Sequence, residues 1–177
     1  MKFSKLIKVR ESCRDFDGSR NIDVDLLKKI VKEGGIAPSA SNKQPWYFRV
    51  ASKKEDVEKL RVLLTENNVN TFLSQCPAFV LITKTEKEAP IDTENNFFRN
   101  MSSFDCGAAC SHLILSASSL GLSTCIIGYF NREKIGEFFE VNEEEETLMV
   151  IVAIGYAKSD EPRAKKRKSF DEICEFI

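Results

Sequence analysis

The stretch "SSFDCGAACSHLILSASSLGL", residues 102–122, decides how this chain folds. It holds one carboxylate, Asp105, and one histidine, His112, among small and apolar residues. The spacing predicts a long helix, and a helix apolar on nearly every side must be covered on nearly every side. A chain of 177 residues has few other elements to do that, so the pattern predicts a central helix buried partly by a second subunit.

Working outward, "STCIIGYF" at 123–130 reads as a short strand. A small helix follows around 131–139, anchored by Ile135, Phe138 and Phe139, and "TLMVIVAIGYA" at 147–157 reads as a central strand. On the N-terminal side, residues 3–9 place Phe3, Leu6, Ile7 and Val9 at helical spacing. Asp23 suits the cap of a helix whose apolar stripe is Leu26, Leu27, Ile30 and Val31, with Gly34 and Gly35 at its end. "YFRVA" at 47–51 alternates as a strand. Residues 54–65 form an amphipathic helix with Val57, Leu60, Leu63 and Leu64 inward, and "AFVLIT" at 78–83 is a buried strand. Residues 84–96 are polar and read as a loop, and the acidic run Glu143–Glu146 reads as a solvated turn. Helices and strands alternate without repeat or linker, which predicts one α/β (α+β) layered domain over 1–177 with a central mixed sheet flanked by helices.

Composition narrows the function classes. Apolar residues make up 42% and charged residues 30%, ordinary for a globular protein large enough to fold without disulfides or metal. Net charge is −1, so no global field draws in nucleic acid or anionic membrane, and any basic site must be local. The N-terminal "MKFSKLIKVR" has no apolar core long enough for a signal peptide, and the apolar run 148–154 is far short of a membrane span, so the expectation is a cytoplasmic protein. The six cysteines form no CxxC pair. Cys106 and Cys110 share a helical face, but His112, two residues on, is rotated roughly 200° away and completes no metal site.

Three constellations stand out. "RESCR" at 10–14 puts Arg10, Ser12 and Arg14 at alternate positions, where an extended backbone would aim them at one anion; a solvated helix end is the bland alternative. The run Arg163–Lys168 is a localisation or nucleic-acid patch if free, and a specific anion contact if docked; the apolar residues of "SFDEICEFI" favour docking onto the body. The third, "GGIAPSASNKQPWYF" at 34–48, brackets small polar residues with Pro38 and Pro45 and follows them with aromatics. It is either a connection or a preformed surface for something flat. His112, the lone histidine, reads as a core residue, and no P-loop, Rossmann fingerprint or Ser-His-Asp set is present. Any enzymatic chemistry therefore belongs to a cofactor.

"RESCRDF" at 10–16, "APSASNKQPWYF" at 37–48, "DCGAACSHLILSASSLGLSTCIIG" at 105–128 and "IGYAKSDEPRAKKRKSFDEI" at 154–173 together resemble the FMN-dependent nitroreductase family, in order and spacing, over nearly the whole chain. The resemblance implies a homodimer with FMN in the interface. It implies that Arg10 and Ser12 grip the FMN phosphate, joined by Lys165 and Arg167 from the tail. Arg14 would sit near the pyrimidine edge. Pro38, Ser39 and Asn42 would lie along the ring with Gln44 in support, and Ile127 and Gly128 would approach N5 and O4. The implied activity is ping-pong transfer of two electrons from NADH or NADPH to a small acceptor such as a nitroaromatic or quinone. No side chain is expected to act as catalyst itself, and neither metal, membrane nor nucleic acid is expected to take part. Within the fold, a reductive dehalogenase or flavin-fragmenting enzyme is the rival; outside it, a flavin-binding redox module without turnover. Ser169 stands where many relatives carry proline.

Overall fold

The computed structural model describes residues 2–85, 97–159, 161 and 163–177. In chain order the elements are α1 (Phe3–Val9), α2 (Val24–Gly34), β1 (Trp46–Ala51), α3 (Lys54–Thr65), β2 (Ala78–Thr85), α4 (Phe97–Ser119), β3 (Ser123–Ile127), α5 (Arg132–Phe138) and β4 (Glu146–Gly155). The four strands form one sheet in the order β1-β2-β4-β3, every pair antiparallel. Its mixed character lies in a parallel bridge from Ser12 to Thr124, which lays the N-terminal segment beside β3.

Alternation along the two inner strands builds two cores, as the period of a strand dictates. Phe79 and Leu81 of β2 and Ile151 and Ala153 of β4 pack with Val57, Leu60, Leu64 and Ile135, the inner faces of α3 and α5. Val80, Ile82, Val152 and Ile154 pack on the opposite face with Leu27, Ile30, Ala109, Leu113 and Ala117 of α2 and α4. Both strands are covered on both faces, which is why they read as unbroken apolar runs.

Asp23 caps α2, its side chain accepting from the Asp25 amide at 2.7 Å. Gly34 is the last residue of that helix, and its role is close approach: a Cβ there would stand 3.0 Å from Leu113 Cβ, so its absence lets α2 settle on α4. The end of α4 needs a glycine for another reason. Gly121 has φ of 79°, and the Leu122 amide reaches Ala117 O at 2.9 Å while the Gly121 amide reaches Ser118 O at 3.3 Å. This Schellman turn aims the chain into β3.

Three expectations are corrected. His112 is exposed, not buried; it shares the uncovered face of α4 with Ser111 and with Phe104, which is 71% exposed. Cys106 and Cys110 take the buried side, as small core residues. Glu146 is no solvated turn residue: it opens β4 and binds both terminal nitrogens of Arg49 at 2.7 Å, with Thr83 donating to the same carboxylate. The apolar end of the tail does not pack onto the body, since Phe170, Ile173, Phe176 and Ile177 are all exposed. The loop expected at 84–96 lies outside the described residues from 86 onward, and Lys84 and Thr85 belong to β2. Among the described residues no helix is long and apolar enough to cross a membrane.

Candidate functional site

Residue Arg10 caps the C-terminal end of α1, and from there the chain runs extended. The Cys13 amide donates to Thr124 O at 2.8 Å and the Asp17 amide to Tyr156 O at 2.9 Å, so residues 12–17 are strapped across the ends of β3 and β4. Cys13 and Phe16 are buried in the core, Ser12 is half-buried and Arg14 is exposed. The tail returns to this place. Lys165 Nζ donates to Lys8 O, the Arg163 amide to a Glu11 carboxylate oxygen at 2.7 Å, and the Arg163 guanidinium to Ser12 O. The basic segment is therefore docked against the N-terminus even though the apolar residues beyond it are not.

This arrangement concentrates positive charge. Arg10, Lys165 and Arg167 enter no ion pair among the described residues. Partial burial lowers the Lys165 pKa, and repulsion from Arg10 and Arg167 adds to the effect. Glu11 opposes that effect only in part, so the charge gathered around Lys165 is on balance positive. Arg14 does not join it. Arg10 borders a cavity of about 290 Å³ with Ser118, Leu122 and Tyr156, whereas Arg14 borders another of about 450 Å³ with Asp15 and Glu161. The Arg14 guanidinium sits 5.8 Å from the ring centroid of Phe72.

Ile127 ends β3, buried and paired with Ile151; Gly128 follows, exposed. A Cβ on Gly128 would meet nothing within 4 Å, so the glycine is not demanded by the chain's own packing and leaves its backbone open to a close neighbour. The next carbonyl, of Tyr129, accepts from Asn70 Nδ2 at 2.9 Å, and the same amide reaches Leu64 O at 3.2 Å. Asn70 and Phe72 thus brace two expected site segments and were not singled out in the sequence. The available signal was "NNVN" at 67–70, since asparagine tolerates the left-handed conformation that Asn67, Asn68 and Asn70 adopt.

The proline-bracketed loop is pre-shaped. Ser41, Asn42 and Gln44 all have φ near +50°, at 52°, 54° and 48°. Ser39 Oγ accepts from the Gln44 amide at 2.9 Å, and Gln44 Nε2 donates to Asn42 O and Oδ1 at 3.2 Å, so Gln44 supports Asn42. The Ala40 amide donates to Asp105, a buried carboxylate of α4, at 3.1 Å. Pro45 O accepts from the Thr85 amide at 2.7 Å, and Trp46 is buried behind it. Pro38 and Asn42 remain exposed on this rigid base.

One chain does not bring these parts together. The loop is tied to Asp105, and the basic cradle of Arg10, Ser12, Lys165 and Arg167 borders Ser118 through the cavity at Arg10, thirteen residues along α4, or about 20 Å at 1.5 Å per residue. Along β4, the loop's partner Thr85 pairs with Glu146 and the cradle's partner Thr124 pairs with Ile154, about 26 Å apart at 3.3 Å per residue. Across the sheet, β1 after the loop and β3 before Gly128 are the two outer strands. A single chain therefore presents two separate surfaces, the basic one with Arg10, Ser12, Lys165 and Arg167 and the pre-shaped loop with Pro38, Ser39 and Asn42 at the far end.

Known proteins share this fold. The family model "Nitroreductase family" matches residues 7–70 and 64–156. The chain is 21% identical to the oxygen-insensitive NADPH nitroreductase of Helicobacter pylori J99, over 97% of its own length and 95% of that protein. It is 24% identical to the iodotyrosine dehalogenase 1 homolog of Caenorhabditis elegans, over 89% of this chain and 55% of that protein. Its fold matches that of an Exiguobacterium sibiricum protein solved in complex with FMN, with a TM-score of 0.83, 20% identity and coverage of 100% of this chain and 98% of the other. With the family model spanning most of its length, the chain belongs to the nitroreductase family.

Proposed function

We propose that this protein is an FMN-dependent oxidoreductase that moves two electrons from NADH or NADPH to a small acceptor such as a nitroaromatic or quinone, acting as a homodimer. One observation carries it: Arg10, Lys165 and Arg167 gather where the two chain ends meet, next to Ser12, and none of the three enters an ion pair among the described residues. Guanidinium forks, an ammonium and a hydroxyl are the donor set that suits a phosphate monoester, through paired charge-assisted hydrogen bonds. FMN, when bound, would supply the two-electron redox chemistry that links the nicotinamide to the acceptor.

The chain's own groups do the rest. The cradle holds the phosphate. Arg14, seated on Phe72, stabilises the negative charge that accumulates at the pyrimidine edge. The open backbone at Gly128 lets the ring approach closely. Pro38, Ser39 and Asn42 come from the second copy, whose loop is held in shape before any ligand arrives. Donor and acceptor use one pocket in turn. The homodimer is supported by the uncovered α4 face around Phe104, the exposed apolar tail and the distance between the two half-sites in one chain.

The purified protein should be yellow, release FMN on denaturation and oxidise NADH or NADPH with a nitroaromatic or quinone. Correctly folded protein that is colourless and refuses added FMN would end the proposal. Similarity to the dehalogenase homolog favours a second reading on the same site, reductive removal of halide from an aromatic substrate. Halide release in the presence of reductant decides between them, and slow reduction by both nicotinamides at full flavin occupancy would instead mark a redox module without turnover.

A further inference from the structure

Glu11 is an anomaly among the cations of the cradle. It is a carboxylate between Arg10 and Ser12, with only 18% of its side chain exposed. Its charge is near enough to Lys165 to raise that residue's pKa, opposing the effect of Arg10. On charge alone, Glu11 would repel a phosphate from the cradle. The tail shows what it is used for. The Arg163 backbone amide donates to Glu11 Oε2 at 2.7 Å, the Arg163 guanidinium Nε stands 3.7 Å from the same oxygen, and Nη2 donates to the Ser12 carbonyl. One carboxylate thus holds both the main chain and the side chain of Arg163, while Arg163 also holds the backbone of Ser12. Two residues further along, Lys165 reaches Lys8 O. Beyond the strap of residues 12–17, these contacts fasten the tail to the N-terminal segment.

We infer that Glu11 and Arg163 form a clasp that assembles the phosphate cradle, docking the C-terminal tail so that Lys165 and Arg167 face Arg10 and Ser12. Neither residue contacts the ligand; both are positioning residues. Without the clasp the cradle is two cationic fragments on separate chain ends, and the ligand must bear the ordering cost of the tail when it binds. This rests on the cradle being a flavin phosphate site, as proposed above. Its consequence is a sign opposite to simple electrostatics: removing the negative charge of Glu11 weakens, and does not strengthen, binding of an anion.

Glu11→Gln, Arg163→Met and the double variant test it by titration of the full-length, flavin-free chain with FMN and with riboflavin, which lacks the phosphate. Each single variant should weaken FMN binding by about three- to tenfold, the range that one hydrogen-bonded link supports. The double variant should be no weaker than the worse single one, and riboflavin affinity should stay within about twofold throughout. Tighter FMN binding by Glu11→Gln, additive losses in the double variant, or an equal loss of both flavins would each overturn the clasp. Glu11→Gln is nearly isosteric, so the test survives if Arg163→Met folds poorly. A wild-type chain that binds neither flavin would overturn the proposed function first, a result distinct from any difference between variants.

Discussion

Two chains with complementary defects should rebuild what neither carries alone. One variant, Arg10→Ala with Lys165→Ala, empties the cradle of two of its cations. The other, Ser39→Ala with Gln44→Ala, removes the props that hold Asn42, namely the 2.9 Å bond to Ser39 Oγ and the 3.2 Å bonds from Gln44 Nε2. Purified separately, each should retain little FMN. Because the loop and the cradle lie about 20 Å apart along α4, each flavin site in a two-fold dimer would take its cradle from one chain and its loop from the other. When both variants are co-expressed at equal levels, random pairing makes about half of the dimers mixed. Every mixed dimer then holds one site with both halves intact and one with both halves broken, so flavin returns to about one quarter of the wild-type content per chain. The assay is absorbance of released FMN per mole of protein, with the two chains carrying different tags so that mixed dimers can be isolated, where the expected value is about one half. Absence of recovery in isolated mixed dimers would refute the two-chain site, because a site built within one chain stays broken in every copy.

Other outcomes follow from single contacts. Gly155→Ala would place a Cβ 2.7 Å from both Phe16 Cδ1 and Pro77 Cδ, and should cost about 1–3 kcal/mol of stability in urea denaturation. Asp105→Ala strips the Ala40 amide of its acceptor, and should cost about 1–3 kcal/mol and weaken FMN binding through the loop; unchanged values in both measurements would show that the strut is dispensable. Burial pushes the Cys76 and Cys106 thiols up to about 12 from an ordinary 9.0. A raised folded value means their contribution to stability is full below pH 9.0 and is lost as pH climbs towards about 12, because unfolded thiols ionise first. Denaturation midpoints at pH 8 and pH 10 check this, and Cys76→Ser should flatten the difference. Arg14→Ala should leave FMN bound yet harder to reduce; an unchanged midpoint potential would remove Arg14 from that role.

Local pattern revealed the elements whose causes are local. The stripe on α2, the cap at Asp23 and the helix at 54–65 follow from spacing, and β2 and β4 from apolar runs too short for helices. The loop at 34–48 was legible as pre-shaped because Pro38 and Pro45 fix their own torsions, whereas the left-handed turns at Ser41 and Gln44 carry no glycine to announce them. Missed features had distant causes. Glu146 looked like one of four solvated acids because its partner Arg49 lies 97 residues away, across the sheet. His112 looked buried because a nearly uncharged helix hides which of its faces the chain itself covers. The separation of cradle and loop depends on β1 and β3 being the outer strands, and no periodicity encodes strand order.

The left-handed torsions at Ser41, Asn42 and Gln44 reverse the usual ranking of substitutions. Glycine fits those angles best and would relieve a local cost on the order of 1 kcal/mol per residue. It would also widen the range of shapes the loop explores. A library selected for thermal endurance and one selected for cofactor retention should therefore diverge most at Ser41 and Gln44, the first drifting towards glycine and the second holding side chains that are individually uncomfortable, while Asn42, which tolerates the angle, changes least.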